Sequence, residues 1–432
     1  MAPLNLAIFS DNGHDADDIQ ARKFGQHLHK KGSVKILFEV VQLTLKSEQV
    51  TQFNISKKQA LNDRAKLTSG DNVATGITNI PVAHGDPETE AMWPYHPSYE
   101  TYKPLVELGA KHPNLLHLGK KEMETLVAGI FAELKQKKEK LTIIVLTNFQ
   151  QLEVVRDHIG GALFDEVVSE IHMQNSLPLP ATLPKPPAGQ GMTFIPPPGF
   201  FETAGPPDKM AWEWKHDKSA ANTSQHEQSA EKFFAWSKNN KNIQFFVYSK
   251  GAAMPVSYPS PKYFESILLG SHAGKAAGGN LGIEQDWFRL VQKNVAWEYF
   301  RDSCKNPPII PNRTKEWYLR VFCGIVGEAE VSKYPMTADD KKNEEMFFSK
   351  LYDKVGVVPY DPIAFLGAIR DIKDIGWTKI PFVAVKDQKN KWYLGENIDP
   401  KFHKDKAGPT AEAERVRKII LATLKAAFSG IR

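Results

Sequence analysis

Two cysteines in 432 residues, Cys304 and Cys323, are too few for a disulfide framework and lack metal-site spacing, so reduced thiols in a cytosolic setting are expected. No run approaches the roughly eighteen apolar residues of a membrane span, and Met1-Ala2-Pro3 passes into an apolar segment with no charged leader. A protein without membrane or secretory targeting, cytoplasmic in location, is the expectation. There is no dense block of one charge either: 55 Lys and Arg face 50 Asp and Glu, dispersed along the chain, for a net charge of +5. That balance mildly favours anionic small molecules and gives no support to a nucleic-acid partner. No internal repeat is present.

What is there is a large apolar reserve, 41% of the residues, enough for one big α/β domain or two smaller ones. The chain is organised around Leu4-Asn5-Leu6-Ala7-Ile8-Phe9-Ser10-Asp11-Asn12-Gly13-His14-Asp15-Ala16-Asp17-Asp18. An uninterrupted apolar run predicts a parallel strand covered on both faces, ended by the turn residues Asp11-Asn12-Gly13. A helix follows, and ligands of open α/β sheets bind just outside the carboxyl ends of strands. Asp11, Asp15, Asp17 and Asp18 crowd four carboxylates into eight residues. The helix dipole and a cap account for one or two of them. A hard divalent cation such as Ca²⁺ accounts for the rest, the alternative being an acidic cap in a solvated turn.

The remaining chain keeps an α/β alternation. Helices are predicted over 19–30, 56–67, 122–138, 227–237, 279–302, 314–322 and 346–352, and strands over 34–41, 80–86, 141–146, 164–173 and 243–248. A hairpin of 382–385 with 392–394 and an amphipathic helix bearing Val416, Ile419, Ile420, Leu424 and Phe428 end it. The Pro-rich stretch 177–207 is either a linker or an insertion over a site. Alternation resumes beyond it, which favours an insertion loop in a single domain over 1–432. The aromatic, Pro-rich segment 92–102, containing Trp93 and Tyr95, suits either a pocket wall or a packed surface loop.

Four signatures in order, D-x-G-x-D-x-D-D spanning Asp11 to Asp18, Pro81-Val82-Ala83-His84-Gly85, Leu146-Thr147-Asn148 and Asp361-Pro362-Ile363-Ala364, resemble the nucleoside hydrolase superfamily, the inosine-uridine-preferring N-ribohydrolases and their divergent relatives. The resemblance implies a mainly parallel Rossmann-like sheet flanked by helices, a homo-oligomer, and a Ca²⁺ site. Asp11, Asp18 and Asp361 match its carboxylate ligands and Thr147 its backbone-carbonyl ligand. Asp17 matches the general base that takes a proton from the attacking water, with Asp15 as the alternative because the spacing differs by a residue. Asn222 resembles the ribose-binding Asn and Met173 a Met of the pocket wall.

The departures are equally specific. Tyr360 stands where many members have the His that assists the leaving base, and Ala220 replaces an acid two residues before the ribose-binding Asn, although Glu213 is near in sequence. Leaving-group assistance then falls to Tyr360, to His14 or His84, or to stacking on Trp93 or Tyr95. Three functions follow: hydrolysis of the N-glycosidic bond of a nucleoside, hydrolysis of a phosphorylated ribosyl compound or NAD, or ribosyl-ligand binding without catalysis.

Overall fold

The computed structural model describes residues 2–13, 16–42, 50–51, 54–85, 102–111, 120–178, 212–218, 220–253, 256, 280–308, 313–325, 327–372, 382–394 and 411–428. One mostly parallel sheet of eight strands, flanked by helices on both faces, carries the architecture. In chain order its parts are β1 (Leu4–Ser10), α1 (Ala16–Lys30), β2 (Val34–Val41), α2 (Lys57–Ala74), β3 (Val82–His84), α3 (Lys103–Ala110), α4 (Lys120–Lys137), β4 (Leu141–Val145), α5 (Gln150–Ile159), α6 (Gly161–Val167), β5 (Val168–Gln174), α7 (Ala221–Gln225), α8 (Glu227–Asn239) and β6 (Gln244–Tyr248). Then come α9 (Asn280–Ser303), α10 (Lys315–Cys323), α11 (Asp340–Lys350), α12 (Tyr360–Ala368), β7 (Val383–Ala384), β8 (Lys391–Leu394) and α13 (Ala411–Phe428).

The strand order is β3-β2-β1-β4-β5-β6-β8-β7. From β1 the chain steps outward to β2 and β3, then returns to lay β4 on the other side of β1. That reversal opens a crevice above the carboxyl ends of β1 and β4, the standard ligand position in open α/β sheets.

The run in β1 is apolar throughout because both of its faces are covered. Leu6 and Ile8 enter the cluster that holds Phe24 of α1, Phe365 of α12 and Ile420 of α13, while Ala7 and Phe9 enter the opposite one with Phe131 of α4, Leu152 of α5 and Phe233 of α8. Each such fully buried large side chain contributes roughly 1.5–3 kcal/mol of burial. A third cluster, around Trp297, Phe300, Tyr318, Phe347 and Leu351, belongs to the helices between β6 and α12.

Most expected elements are present with shifted ends. Helix α1 starts at Ala16, so Asp17 and Asp18 lie in its first turn. Ser56 caps α2 by accepting from Gln59 N, but the helix continues to Ala74. The expected strand over 164–173 is corrected: Gly161–Val167 is helical, and β5 begins only at Val168. Apolar content alone does not separate a short buried helix from a strand. The hairpin exists as antiparallel β7 and β8, with β8 also joining β6 in parallel. From 179 onward the Pro-rich stretch lies outside the described residues. Among the described residues no helix is long and apolar enough to cross a membrane.

Candidate metal and ligand site

Gly13 adopts φ +97°, a left-handed conformation open to glycine, which ends the turn after β1. The turn is braced from α2: Asn12 Nδ2 donates to Thr68 Oγ1 at 2.9 Å, and Arg64 donates to the backbone carbonyls of Asp11 and Asn12. From the far side of the crevice, Gln225 at the end of α7 donates to Asp11 Oδ2 at 3.3 Å.

Helix α12 brings the fourth acid. It begins at Tyr360, and Asp361 in its first turn is 4% exposed. Backbone amides at the starts of two helices, those of Asp17 and Asp18 and those of Tyr360 and Asp361, lie close enough to the Asp17 carboxylate to oppose the effect of its burial. One acid thus lies at the amino ends of two helices, where both dipoles favour negative charge. Carboxyl oxygens of Asp17, Asp18 and Asp361 lie within 4.8 Å of one another. Asp11 and Asp361 each approach Asp18 closely enough for a hydrogen bond.

So many acids away from water cannot all ionise unaided. Burial raises every one of them: Asp11 to about 6 despite the opposing Arg64 charge, and Asp17 to about 7 despite the four nearby backbone amides. Asp18 and Asp361 are pushed well above the usual carboxylate range, by burial first and by neighbouring acids next. With all of them ionised, Asp18 Oδ1 is a buried acceptor without a donor among the described residues. A contact between two carboxyls becomes a bond only if one keeps a proton or a cation bridges them. The donor set is all hard oxygen, which fits Ca²⁺ or another hard divalent cation.

Around this centre the expected residues divide. Thr147 is fully buried just past β4, and its Oγ1 accepts from Gln42 Nε2 at 3.0 Å. Asn222 on α7 donates to the backbone carbonyl and Oε1 of Gln174 at 2.9 and 2.8 Å, so it sits at the carboxyl end of β5. Met173 is fully buried inside the cluster of Phe9, Val145 and Phe149. His84 ends β3, with β2 between it and β1, and its Nδ1 lies 3.0 Å from Gly85 O. Glu213 is exposed. Asp15, Trp93, His14 and Tyr95 lie outside the described residues.

Sequence reasoning missed Arg64, Gln225, Tyr299 and Arg313. The Asp17 charge raises the phenols of both Tyr299 on α9 and Tyr360, and the Arg313 charge opposes it at both. No spacing signal marks these residues, because they lie on elements far apart in the chain.

No family model matches the chain, and no curated protein matches it by sequence. Solved structures do match. The effector protein XOO4466 is 16% identical, with a TM-score of 0.63 over 99% of this chain and 95% of that one. The type III effector XopQ, solved in complex with adenosine diphosphate ribose, is 17% identical, with a TM-score of 0.61 over 99% and 94%. An inosine-uridine preferring nucleoside hydrolase from Bacillus anthracis is 10% identical, with a TM-score of 0.44 over 98% and 99%. At these identities the likeness to the effectors concerns the fold. The chain is a divergent protein that shares the fold of these two effectors.

Proposed function

We propose that this protein is a divalent-cation-dependent hydrolase of an N-ribosyl bond, with Ca²⁺ as the cation. The convergence of Asp17, Asp18 and Asp361 within 4.8 Å, all buried and raised in pKa, carries this reading. Asp11, Asp18 and Asp361 would hold the ion together with Thr147. When bound, such an ion supplies positive charge that eases deprotonation of the attacking water and orients ribose hydroxyls.

The chain's own residues would supply the rest. Asp17, held near neutrality at about 7, is matched to taking a proton at physiological pH, a contribution of about 10²–10⁴-fold. Asp15 is the alternative base. Asn222 would orient the sugar from the β5 side. As the glycosidic bond breaks, an oxocarbenium-like centre develops on the ribose and the electron pair leaves with the base, by analogy with O-glycosides. Tyr360, half-buried beside Asp17 and kept protonated by burial, would donate a hydrogen bond to the departing group.

A second reading is favoured by Tyr360 and Ala220, which stand in place of a catalytic His and an acid: a site that binds a ribosyl ligand without cleaving it. XopQ, with its adenosine diphosphate ribose, makes that compound a natural probe for this chain. The experiment is release of free base from nucleosides, nucleotides, NAD and ADP-ribose, with calcium and with chelator, followed by mass spectrometry. Chelator-sensitive release of base is expected. No release, with ligand and calcium still bound, would replace the hydrolase with the binding protein.

A further inference from the structure

Helix α7 crosses the carboxyl ends of the central strands. At one end Asn222 donates to the backbone carbonyl and Oε1 of Gln174, and Thr223 Oγ1 donates to Asn175 Oδ1 at 3.0 Å, which fixes the helix over β5. At the other, Gln225 Nε2 donates to Asp11 Oδ2 at 3.3 Å past β1, with β4 lying between the two strands. A carboxylate accepts and does not donate, so this bond sets the orientation of the Gln225 amide: its nitrogen faces Asp11 and its Oε1 is the free end. That oxygen is buried and meets no donor among the described residues, although the residue as a whole is only half-buried. Two further acceptors on the same edge, Asn12 Oδ1 and Asp18 Oδ1, belong to residues 0% and 2% exposed and are equally without a donor. Buried acceptors are normally paired, and a group of unpaired ones around Asp11 marks a place where a ligand brings the protons.

We propose that Gln225 is a ligand-contacting residue whose Oε1 accepts a hydrogen bond from a ribose hydroxyl and so selects for the intact sugar. The proposal rests on the ribosyl reading above and adds a residue that reads the ribose. The ligand group must carry a proton, which excludes a phosphate and a ring nitrogen without hydrogen. It must also come within one side-chain amide of Asp11, a proposed cation ligand, which puts the sugar there and the base farther off. A hydroxyl meets both demands, since it gives its proton to Oε1 and keeps its own oxygen for another partner. A neutral amide also suits this position better than another carboxylate, which would add to the charge already crowded at Asp11, Asp18 and Asp361.

The test measures calorimetric binding of adenosine and of each of its monodeoxy forms, in calcium and in the Asp17→Asn background, which slows cleavage, with and without Gln225→Met. Expected is one monodeoxy form that binds about tenfold more weakly than adenosine to the chain that keeps Gln225. Gln225→Met should weaken adenosine by the same factor and leave the affinity for that form unchanged, as coupled partners do. The unchanged affinity also shows that the variant is folded. Equal losses for adenosine and every monodeoxy form, or no loss at all, would overturn the contact. A chain that binds ADP-ribose but not adenosine, or binds adenosine and its monodeoxy forms alike, overturns this proposal and spares the ribosyl reading. Wild-type protein that binds neither adenosine nor ADP-ribose overturns both.

Discussion

The carboxylate of Asp17 lies close enough to the backbone amide of Asp361 to be lowered by it against burial, which brings the start of the second element of the chain beside a helix near its end. Helix α12 is held at its far end. Arg370, just past it, donates to Gly367 O at 3.0 Å and pairs with both carboxylate oxygens of Glu170 at 2.8 and 3.0 Å. A carboxylate thus sits at the positive end of the helix and a guanidinium at its negative end. Close packing adds to this: a Cβ on Gly367 would stand 1.7 Å from Tyr248 Oη, so only glycine lets α12 approach β6 this closely.

Neutralising one acid should separate stability from metal binding. Asp361→Asn relieves buried like-charge repulsion, so in chelator the variant should unfold at a higher temperature than wild type, by about 1 kcal/mol of stability. In calcium the order should reverse, because the ion no longer stabilises the variant. Thermal scans with and without calcium, beside a metal analysis, check it. Bound calcium unaffected in both Asp361→Asn and Asp18→Ala would mean that the cation site is misplaced.

Asp17→Asn keeps an acceptor for the helix amides but cannot take a proton. Turnover should fall about 10²–10⁴-fold while ADP-ribose and calcium still bind. Single-turnover kinetics distinguish the two candidates: full turnover in this variant and loss in Asp15→Asn would transfer the base role to Asp15.

The cluster beyond α12 should set the acid limit of folding. Burial raises the Glu170 carboxyl, but the bonds from His172 and Arg370 more than offset it and bring it down to about 2. A carboxylate depressed in the folded state stabilises above its unfolded value, near 4.5, and that stability is lost as pH falls toward 2. Fully buried His172 is lowered by burial first, so its protonation below about 6.5 opposes folding too. The raised site acids favour folding as pH falls to about 4 and are protonated in both states below it, so stability measured by denaturant titration should fall from about pH 4 to pH 2, with Glu170 accounting for on the order of 3 kcal/mol. Glu170→Gln should flatten the part of that slope below pH 4.5. An identical slope in the variant would remove Glu170 from the account.

Met173 offers a check on core against pocket. Fully buried among Phe9, Val145 and Phe149, it should cost about 2–5 kcal/mol when changed to Ala, with KM unchanged. A raised KM at nearly wild-type stability would return it to the pocket wall.

The sequence by itself determined β1, β2, β4 and β6, because apolar runs covered on two faces leave a direct signal, and it put Asp11, Asp17 and Asp18 at the carboxyl end of the first strand. It also singled out Asp361 as their distant partner. What it left open was decided by tertiary structure. The helical half of 161–173 depends on packing that periodicity does not carry, as Phe164 stacks on Phe131 of α4. Met173 lies in the core because alternation along β5 turns it away from His172, which faces Glu170, Tyr248 and Arg370. Gln225 comes to the acids from α7, and Tyr299 on α9 lies within reach of their charge. A motif records neighbours along the chain, whereas these groups are neighbours only because the strand order reverses between β1 and β4 and gathers loops from both halves of the sheet over one crevice.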